Sequence, residues 1–113
     1  MTYLMDNSTN AWAALGDPTR RAIFERLLEQ PQAVHALANG LPVSRPAVSQ
    51  HLKVLSDAGL VVARREGKQR IYQVDPDGIA ALRAELQRFW NKTMAAYEAL
   101  VEQPSTEIQK EEP

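Results

Sequence analysis

Apolar residues recur every three or four positions along most of the chain, which is the spacing of one face of an α-helix. The clearest case lies between Ser44 and Gly59. At about 100° per residue, Val48, Leu52 and Leu55 fall on one line. The opposite side is polar and consists of Arg45 on its flank, Pro46, Ser49, Gln50 and Lys53. The pattern therefore predicts an amphipathic helix.

Both ends of this helix are marked. Ser44 can cap the first turn, where Pro46 loses no hydrogen bond, and Gly59 can adopt the left-handed conformation that ends a helix. Polar side chains crowd into its first half, where a docked recognition helix meets a DNA groove. An ordinary amphipathic helix with a solvated polar face has the same pattern, so the neighbouring elements must discriminate.

Three helices are predicted before this one. Residues 10–15 form a short apolar helix in which Trp12 and Leu15 need cover, and Gly16 ends it. Asp17 and Pro18 then start a helix that runs to residue 29. Its inward residues are Ile23, Phe24 and Leu27. After a loop at residues 30–32, residues 33–39 form the third helix, whose packing side is Val34, Leu37 and Ala38, and a turn at residues 39–43 precedes Ser44.

The period changes after Gly59. Residues 60–65 and 70–74 are rich in β-branched and aromatic side chains, and the glycine turn 66–69 separates them, which predicts a β-hairpin. Asp75 and Pro76 repeat the helix-start pattern. A long helix follows to about residue 103, with one wide apolar stripe formed by Ile79, Leu82, Leu86, Phe89, Trp90, Met94, Tyr97, Leu100 and Val101.

These elements predict a mainly α protein with a β-hairpin wing, a winged helix-turn-helix in the order α-α-α-α-β-β-α. We expect one domain over residues 10–103. Residues 33–58 form the helix-turn-helix, residues 60–74 the wing and residues 76–103 a dimerisation helix. We expect residues 1–9 to be flexible and the acidic tail 104–113 to be disordered.

Charge is distributed unevenly along the 113 residues. The net charge of −1 at pH 7 does not suggest nucleic-acid binding, but residues 44–74 carry six Lys or Arg against two acids. Residues 75–113 carry four against eight. A basic working surface with an acidic remainder fits this asymmetry.

The basic and amide side chains of the helix and the hairpin are our candidate contacts to double-stranded DNA. They are Arg45, Pro46, Ser49, Gln50, Lys53, Arg64, Arg65, Lys68, Gln69 and Arg70. Charged edge strands also prevent aggregation, but charges of nearly one sign favour a wing that lies over phosphates. Arg20, Arg21 and Arg26 are expected on a solvated helix surface.

The C-terminal stripe is too large for a small winged domain to cover, which favours a two-fold homodimer. The predicted interface comprises Trp12, Leu15, Leu82, Leu86, Phe89, Trp90, Met94 and Tyr97. Folding of the stripe onto its own domain is the alternative. In a variant of this hypothesis, a small apolar ligand binds between the terminal helices near Trp12, Phe89, Trp90 and Tyr97. Aromatic residues at helical spacing more often form core or interface, however.

Three segments together resemble the ArsR/SmtB-like winged helix-turn-helix transcriptional regulators. They are residues 15–21 (LGDPTRR), 48–55 (VSQHLKVL) and 57–61 (DAGLV), and the resemblance covers roughly residues 10–100. It implies a homodimeric repressor that binds an imperfect inverted repeat, with terminal helices at the dimer interface.

The chain departs from the metal-sensing members of that family. The stretch 33–38 lacks the cysteines of a thiolate site, and the long C-terminal helix has no His with which to hold zinc. We therefore expect no metal site and no cofactor. His35 is expected at or near the surface, and His51 is expected to pack and bond locally or to contact a phosphate.

Other classes of function find little support. The chain has no Cys, no Gly-rich phosphate loop and no nucleophile paired with a base, so we do not expect an enzyme. No apolar stretch approaches the length of a membrane span, and we expect a cytoplasmic protein without membrane contact. A winged helix that binds protein and not DNA is the alternative function. The operator and any small-molecule effector stay unknown.

Overall fold

The computed structural model describes residues 7–103 and the side chains of residues 11–103. Within them the elements are α1 (Asn7–Ala14), α2 (Pro18–Glu29), β1 (Gln32–Ala33), α3 (Val34–Ala38), α4 (Arg45–Asp57), β2 (Val61–Glu66), β3 (Gln69–Val74) and α5 (Pro76–Glu102). The predicted class is confirmed: the protein is mainly helical with a β-hairpin wing. No helix among these residues is both long and apolar enough to cross a membrane.

Two element boundaries differ from the prediction. Helix α1 begins at Asn7, three residues before the predicted start at residue 10. Residues 1–6 and the tail 104–113 lie outside the described residues, and the prediction for them stays a prediction. Residues 30–31 form a loop as predicted, but Gln32, predicted in that loop, and Ala33, predicted at the start of the third helix, form strand β1.

Strand β1 makes the wing a three-stranded antiparallel sheet in the order β1-β3-β2. Gln32 lies opposite Tyr72 and Ala33 opposite Ile71, while β2 pairs with β3 from Val61–Val74 to Glu66–Gln69. Two residues are too few to show strand periodicity, which is why the sequence pattern did not reveal β1. The sheet therefore attaches α3 to the wing.

The predicted start and stop residues of α4 have the expected geometry. The Ser44 hydroxyl accepts a hydrogen bond from the Ala47 N–H at 3.2 Å. At the other end Gly59 has φ of 81°, its N–H donates to the Ser56 carbonyl, and the Leu60 N–H donates to the Leu55 carbonyl, both at 3.0 Å. This pair of bonds is a Schellman motif, which satisfies carbonyls that the helix itself leaves unpaired.

The core lies beneath α4. Val48, Leu52 and Leu55 are completely buried, as the helical pattern predicted. They pack against buried residues of α1 to α3 and of the start of the wing, chiefly Ile23, Phe24, Leu27, Leu37, Leu60 and Val61. The buried face holds α4 so that its polar face is exposed.

The arginines of α2 bind the ends of neighbouring helices. The Arg20 Nε donates to the Ala14 carbonyl at 2.8 Å, and Arg21 donates to the Leu15 carbonyl at 3.2 Å. The Arg26 guanidinium donates to three carbonyls at the end of α3, those of Ala36, Leu37 and Asn39, at 3.0–3.3 Å. The solvated role expected for Arg20 and Arg26 was therefore wrong, because both are half-buried and cap a helix end, whereas Arg21 is exposed as expected.

Candidate nucleic-acid interface

The polar face of α4 and the wing border one groove. Its volume is about 450 Å³, and six of the ten predicted DNA contacts line it: Arg45, Pro46 and Ser49 from the first half of α4, and Lys68, Gln69 and Arg70 from the wing. These two groups are separated by almost twenty residues in sequence. The fold thus places side chains that can reach base edges beside side chains that can hold phosphates.

Gln50 and Lys53 lie on the exposed face of α4 outside this groove. Gln50 carries an amide, which can form two hydrogen bonds with adenine in a major groove. Lys53 donates to the Asp57 carboxylate at 3.1 Å, and both side chains are more than 65% exposed. Such an exposed pair contributes little, so a phosphate can compete for the lysine.

The tip of the wing is a tight hairpin. Because Glu66 lies opposite Gln69, only Gly67 and Lys68 form the turn, and Gly67 has φ of 63°. A positive φ at this point suits the two-residue turns that join twisted strands. Lys68 is exposed at the outermost point of the hairpin.

Two arginines face each other across the wing. Arg65 and Arg70 are partners in the β2–β3 register, so their side chains leave the same face of the sheet. The Arg70 guanidinium lies 5.7 Å from the centre of the Tyr72 ring. Like charges directly opposite each other destabilise a strand pair, and a bound phosphate would relieve that repulsion.

Arg64 makes more side-chain hydrogen bonds within the protein than the other predicted DNA contacts of the wing. Its guanidinium donates to the Glu66 carboxylate at 3.1 Å and to the amide oxygen of Gln73. All three side chains lie on the sheet face opposite Arg65 and Arg70. Arg64 therefore contributes positive charge to a different face of the wing.

Three residues of the β1–α3 corner line the groove and were not predicted. They are Ala33, Val34 and His35. His35 is exposed, as expected, but β1 brings it next to the wing. A two-residue strand has no periodic signal, so only the pairing with β3 reveals this third side of the groove.

The residues predicted for dimerisation fall into two groups. Trp12, Leu86, Phe89, Trp90 and Tyr97 are 40–57% exposed. Leu15 and Leu82 pack partly against the core, and Met94 is half-buried. The rings of Trp12 and Phe89 lie 5.5 Å apart at 50°, which joins α1 to α5. An apolar surface thus remains exposed, mainly along the second half of α5.

The described residues contain no group of three or more His, Cys, Asp or Glu side chains that could hold a metal ion. His35 and His51 lie on different helices, α3 and α4. His51 is half-buried; the pKa of Asp17 is lowered chiefly by the backbone N–H of Arg20, and the charge of His51 makes a smaller contribution in the same direction.

Residues 15–64 match the family profile described as "Helix-turn-helix domain". The chain is 59% identical over 92 residues to the HTH-type transcriptional regulator Rv2034 of Mycobacterium tuberculosis, covering 81% of this chain and 86% of that protein. It is 39% identical over 71 residues to the HTH-type transcriptional repressor SmtB of the same species, covering 63% of this chain and 53% of that repressor.

Solved structures share the fold. The solution structure of a homodimeric winged helix-turn-helix DNA-binding domain from Mycobacterium bovis, titled a possible ArsR-family transcriptional regulator, superposes with a TM-score of 0.62 at 27% identity. The match covers 83% of this chain and 94% of that domain.

Proposed function

Because this chain belongs to the ArsR/SmtB family of winged helix-turn-helix transcriptional regulators, we propose that it is a homodimeric repressor that binds an inverted-repeat operator without a metal effector. The observation that carries this proposal is the groove between α4 and the wing, which six of the ten candidate DNA contacts line.

The proposed roles follow from side-chain chemistry. Arg45 can bond guanine and Gln50 can bond adenine, each with two hydrogen bonds, while Ser49 contacts either a base or a phosphate. Lys53, Arg65, Lys68 and Arg70 contact phosphates and set the position of the protein on the duplex. Pro46 and Gln69 complete the surface, and Arg64 adds positive charge on the other face of the wing. His35 adds a contact from the β1–α3 corner.

The dimer is supported by the exposed stripe of α5. Leu86, Phe89, Trp90, Tyr97, Leu100 and Val101 are 40–60% exposed along this 27-residue helix, and Trp12 extends the surface onto α1. Exposed apolar patches of this extent mark interaction sites. A second copy related by a two-fold axis would bury the same residues on both sides. The homodimeric relative from Mycobacterium bovis is consistent with this arrangement.

Independence from metal is supported by the residues that the chain lacks. It has no Cys and only two His, and α5 has none. Thiolate and imidazole are the ligands that zinc and related metals prefer in regulatory sites. Carboxylates alone are a poor basis for such a site.

Selection from random duplexes, followed by footprinting, tests the proposal. Recovery of an inverted repeat with half-sites about one helical turn apart is the expected result, since a two-fold dimer presents two α4 helices to one side of the duplex. Log affinity should also fall steeply with log salt. Failure to bind any duplex at low salt would instead favour a protein-interaction module.

Added zinc tests metal independence separately. Operator affinity should be the same in the presence of excess zinc and in the presence of a chelator. A change in affinity that the chelator reverses would contradict this part of the proposal.

A further inference from the structure

A second groove shares no lining residue with the groove of the candidate DNA contacts. It has a volume of about 880 Å³ and is formed by the end of α2, the β3–α5 junction and the first half of α5. Its apolar lining comes from Leu27 and Leu28 of α2, Val74 and Ile79 on either side of the β3–α5 junction, and Ala80 and Ala84 of α5. The groove is open to solvent, and its mostly apolar lining with a few polar groups is typical of sites that hold small molecules.

The lining of this groove contains one charged residue, Arg83. The three ion pairs found among residues 7–103 do not include it. Gln87, the other polar residue of the lining, donates its amide to Asn91 at 3.0 Å. The groove therefore presents an apolar surface with a single cation that has no acidic partner in the part of the chain described.

The groove borders the proposed dimer surface. The large apolar residues exposed on α5 begin at Leu86, and the groove extends along the helix to Gln87. Ala84 and Phe89 point in directions roughly 140° apart around the helix, whereas Arg83 lies within about 20° of Trp90, which follows two turns later. Phe89 faces Trp12 on α1, while Ala84 belongs to the groove wall shared with α2.

Leu28 further indicates a ligand. This leucine is 57% exposed at the groove wall, although Leu27 beside it is buried in the core. Covering such a side chain stabilises a complex in proportion to the apolar area removed from water. A hydrocarbon chain or ring of a small molecule bound in the groove would cover Leu28.

We propose that this groove is a binding site for a small apolar carboxylate. The hydrocarbon part lies against Leu28, Ile79 and Ala84, and the carboxylate pairs with the Arg83 guanidinium. A neutral compound of the same length makes the apolar contacts alone. A cationic compound is repelled by Arg83.

Calorimetric titration of the full chain with octanoate, octan-1-ol and octyltrimethylammonium, each below its micelle concentration, tests the site. Octanoate should bind once per chain and most tightly of the three. Arg83→Gln should weaken octanoate binding by about fivefold, the upper range for an exposed ion pair, and leave octan-1-ol binding unchanged. Ala84→Phe fills the groove and should weaken both by on the order of tenfold or more.

Matched controls lie on the same helix. Arg88→Gln and Ala95→Phe make the same chemical changes outside the groove and should leave octanoate binding as in the wild type. Circular dichroism shows whether each variant keeps its helices. Equal octanoate affinity in wild type and Arg83→Gln would overturn the proposal, as would the absence of binding. Dissociation of a dimer by Ala84→Phe, with no loss of octanoate binding, would assign the groove to a second copy.

Discussion

Gly78 in the first turn of α5 lies directly against Gly59 at the end of α4. A Cβ placed on Gly78 would be 1.8 Å from the Gly59 carbonyl oxygen and 2.7 Å from its carbonyl carbon. The Asp75 N–H donates to the Leu60 carbonyl at 2.9 Å beside this contact. The start of α5 is therefore fixed by backbone contact to the end of α4, which joins the proposed dimerisation helix to the helix that faces the groove.

Gly78→Ala should destabilise the protein by about 1–3 kcal/mol, because backbone atoms cannot move aside as a flexible side chain could. Intrinsic helix propensity alone predicts the opposite, a gain of roughly 1 kcal/mol. Urea unfolding measures the difference. Ala80→Gly in the next turn is the control, and it should lower the free energy of unfolding by about 1 kcal/mol or less. A stabilised Gly78→Ala protein would show that the two backbones are not in close contact.

Arg26→Met should destabilise the protein by about 1–3 kcal/mol. The methionine keeps an apolar stem, but three carbonyls at the end of α3 lose their charged donor. Arg21→Met is the matched control, since Arg21 is exposed and makes one hydrogen bond to a carbonyl. Thermal or urea unfolding checks the pair. Equal losses in the two variants would contradict a capping role specific to Arg26.

The stability contributed by Asp17 should depend on pH. The backbone N–H of Arg20 donates to its carboxylate at 2.9 Å, which is the main reason that the pKa of Asp17 lies below its usual 3.8. Burial opposes this shift, while the charges of Arg20 and His51 support it. The carboxylate's contribution is complete above pH of about 4 and is lost as the pH falls through the lowered value.

Asp17→Asn keeps a side-chain oxygen for the cap and removes the charge. Its stability relative to wild type should be lowest near neutral pH and should approach wild type below pH 3.8. Asp17→Ser, another neutral cap, should behave in the same way. Urea unfolding over a pH series provides the measurement. A constant difference between wild type and variant at every pH would rule out the charge as the cause.

Gln50→Ala should weaken DNA binding selectively. Without the two hydrogen bonds to adenine, discrimination between bases at one position of each half-site should fall by about 1–3 kcal/mol. The affinity for random duplex should change little. Competition binding on single-base operator variants measures this. Equal losses on operator and random duplex would contradict a base contact by Gln50.

Lys68→Ala should weaken binding to all duplexes alike, because a lysine at the wing tip contacts phosphate and not base. The slope of log affinity against log salt should become shallower by about 1. Lys92→Ala on α5 is the control of the same residue type; Lys92 does not line the groove, so the slope should stay unchanged. A change in sequence preference by Lys68→Ala would indicate a base contact instead.

Local signals in the sequence were sufficient for most elements. Asp17, Ser44 and Asp75 each accept a backbone N–H at the start of a helix, and proline follows each cap within two residues. Such signals act within one turn, so they are visible without tertiary contacts. The buried line of α4 and the hairpin were predicted for the same reason, since periodicity records which face is covered.

Features that join distant segments were not predictable in this way. Strand β1 exists because Ala33 pairs with Ile71, the role of Arg26 depends on where α3 ends, and the need for glycine at position 78 depends on the carbonyl of Gly59. Each partner lies ten or more residues away. Sequence patterns that span one helical turn or one strand pair do not show which residues so far apart come into contact.

The candidate interface shows the same division. Its residue types and positive charge are properties of residues 44–74 and are evident in the sequence. Packing of α4 and pairing of β3 bring Arg45 beside Arg70, add His35 to the same groove and hold Arg64 on another face. The chemistry of each side chain is a property of its own residue and can be read from the sequence. Which segments lie next to each other depends on the fold, in which burial of Val48, Leu52 and Leu55 positions α4 against its neighbours.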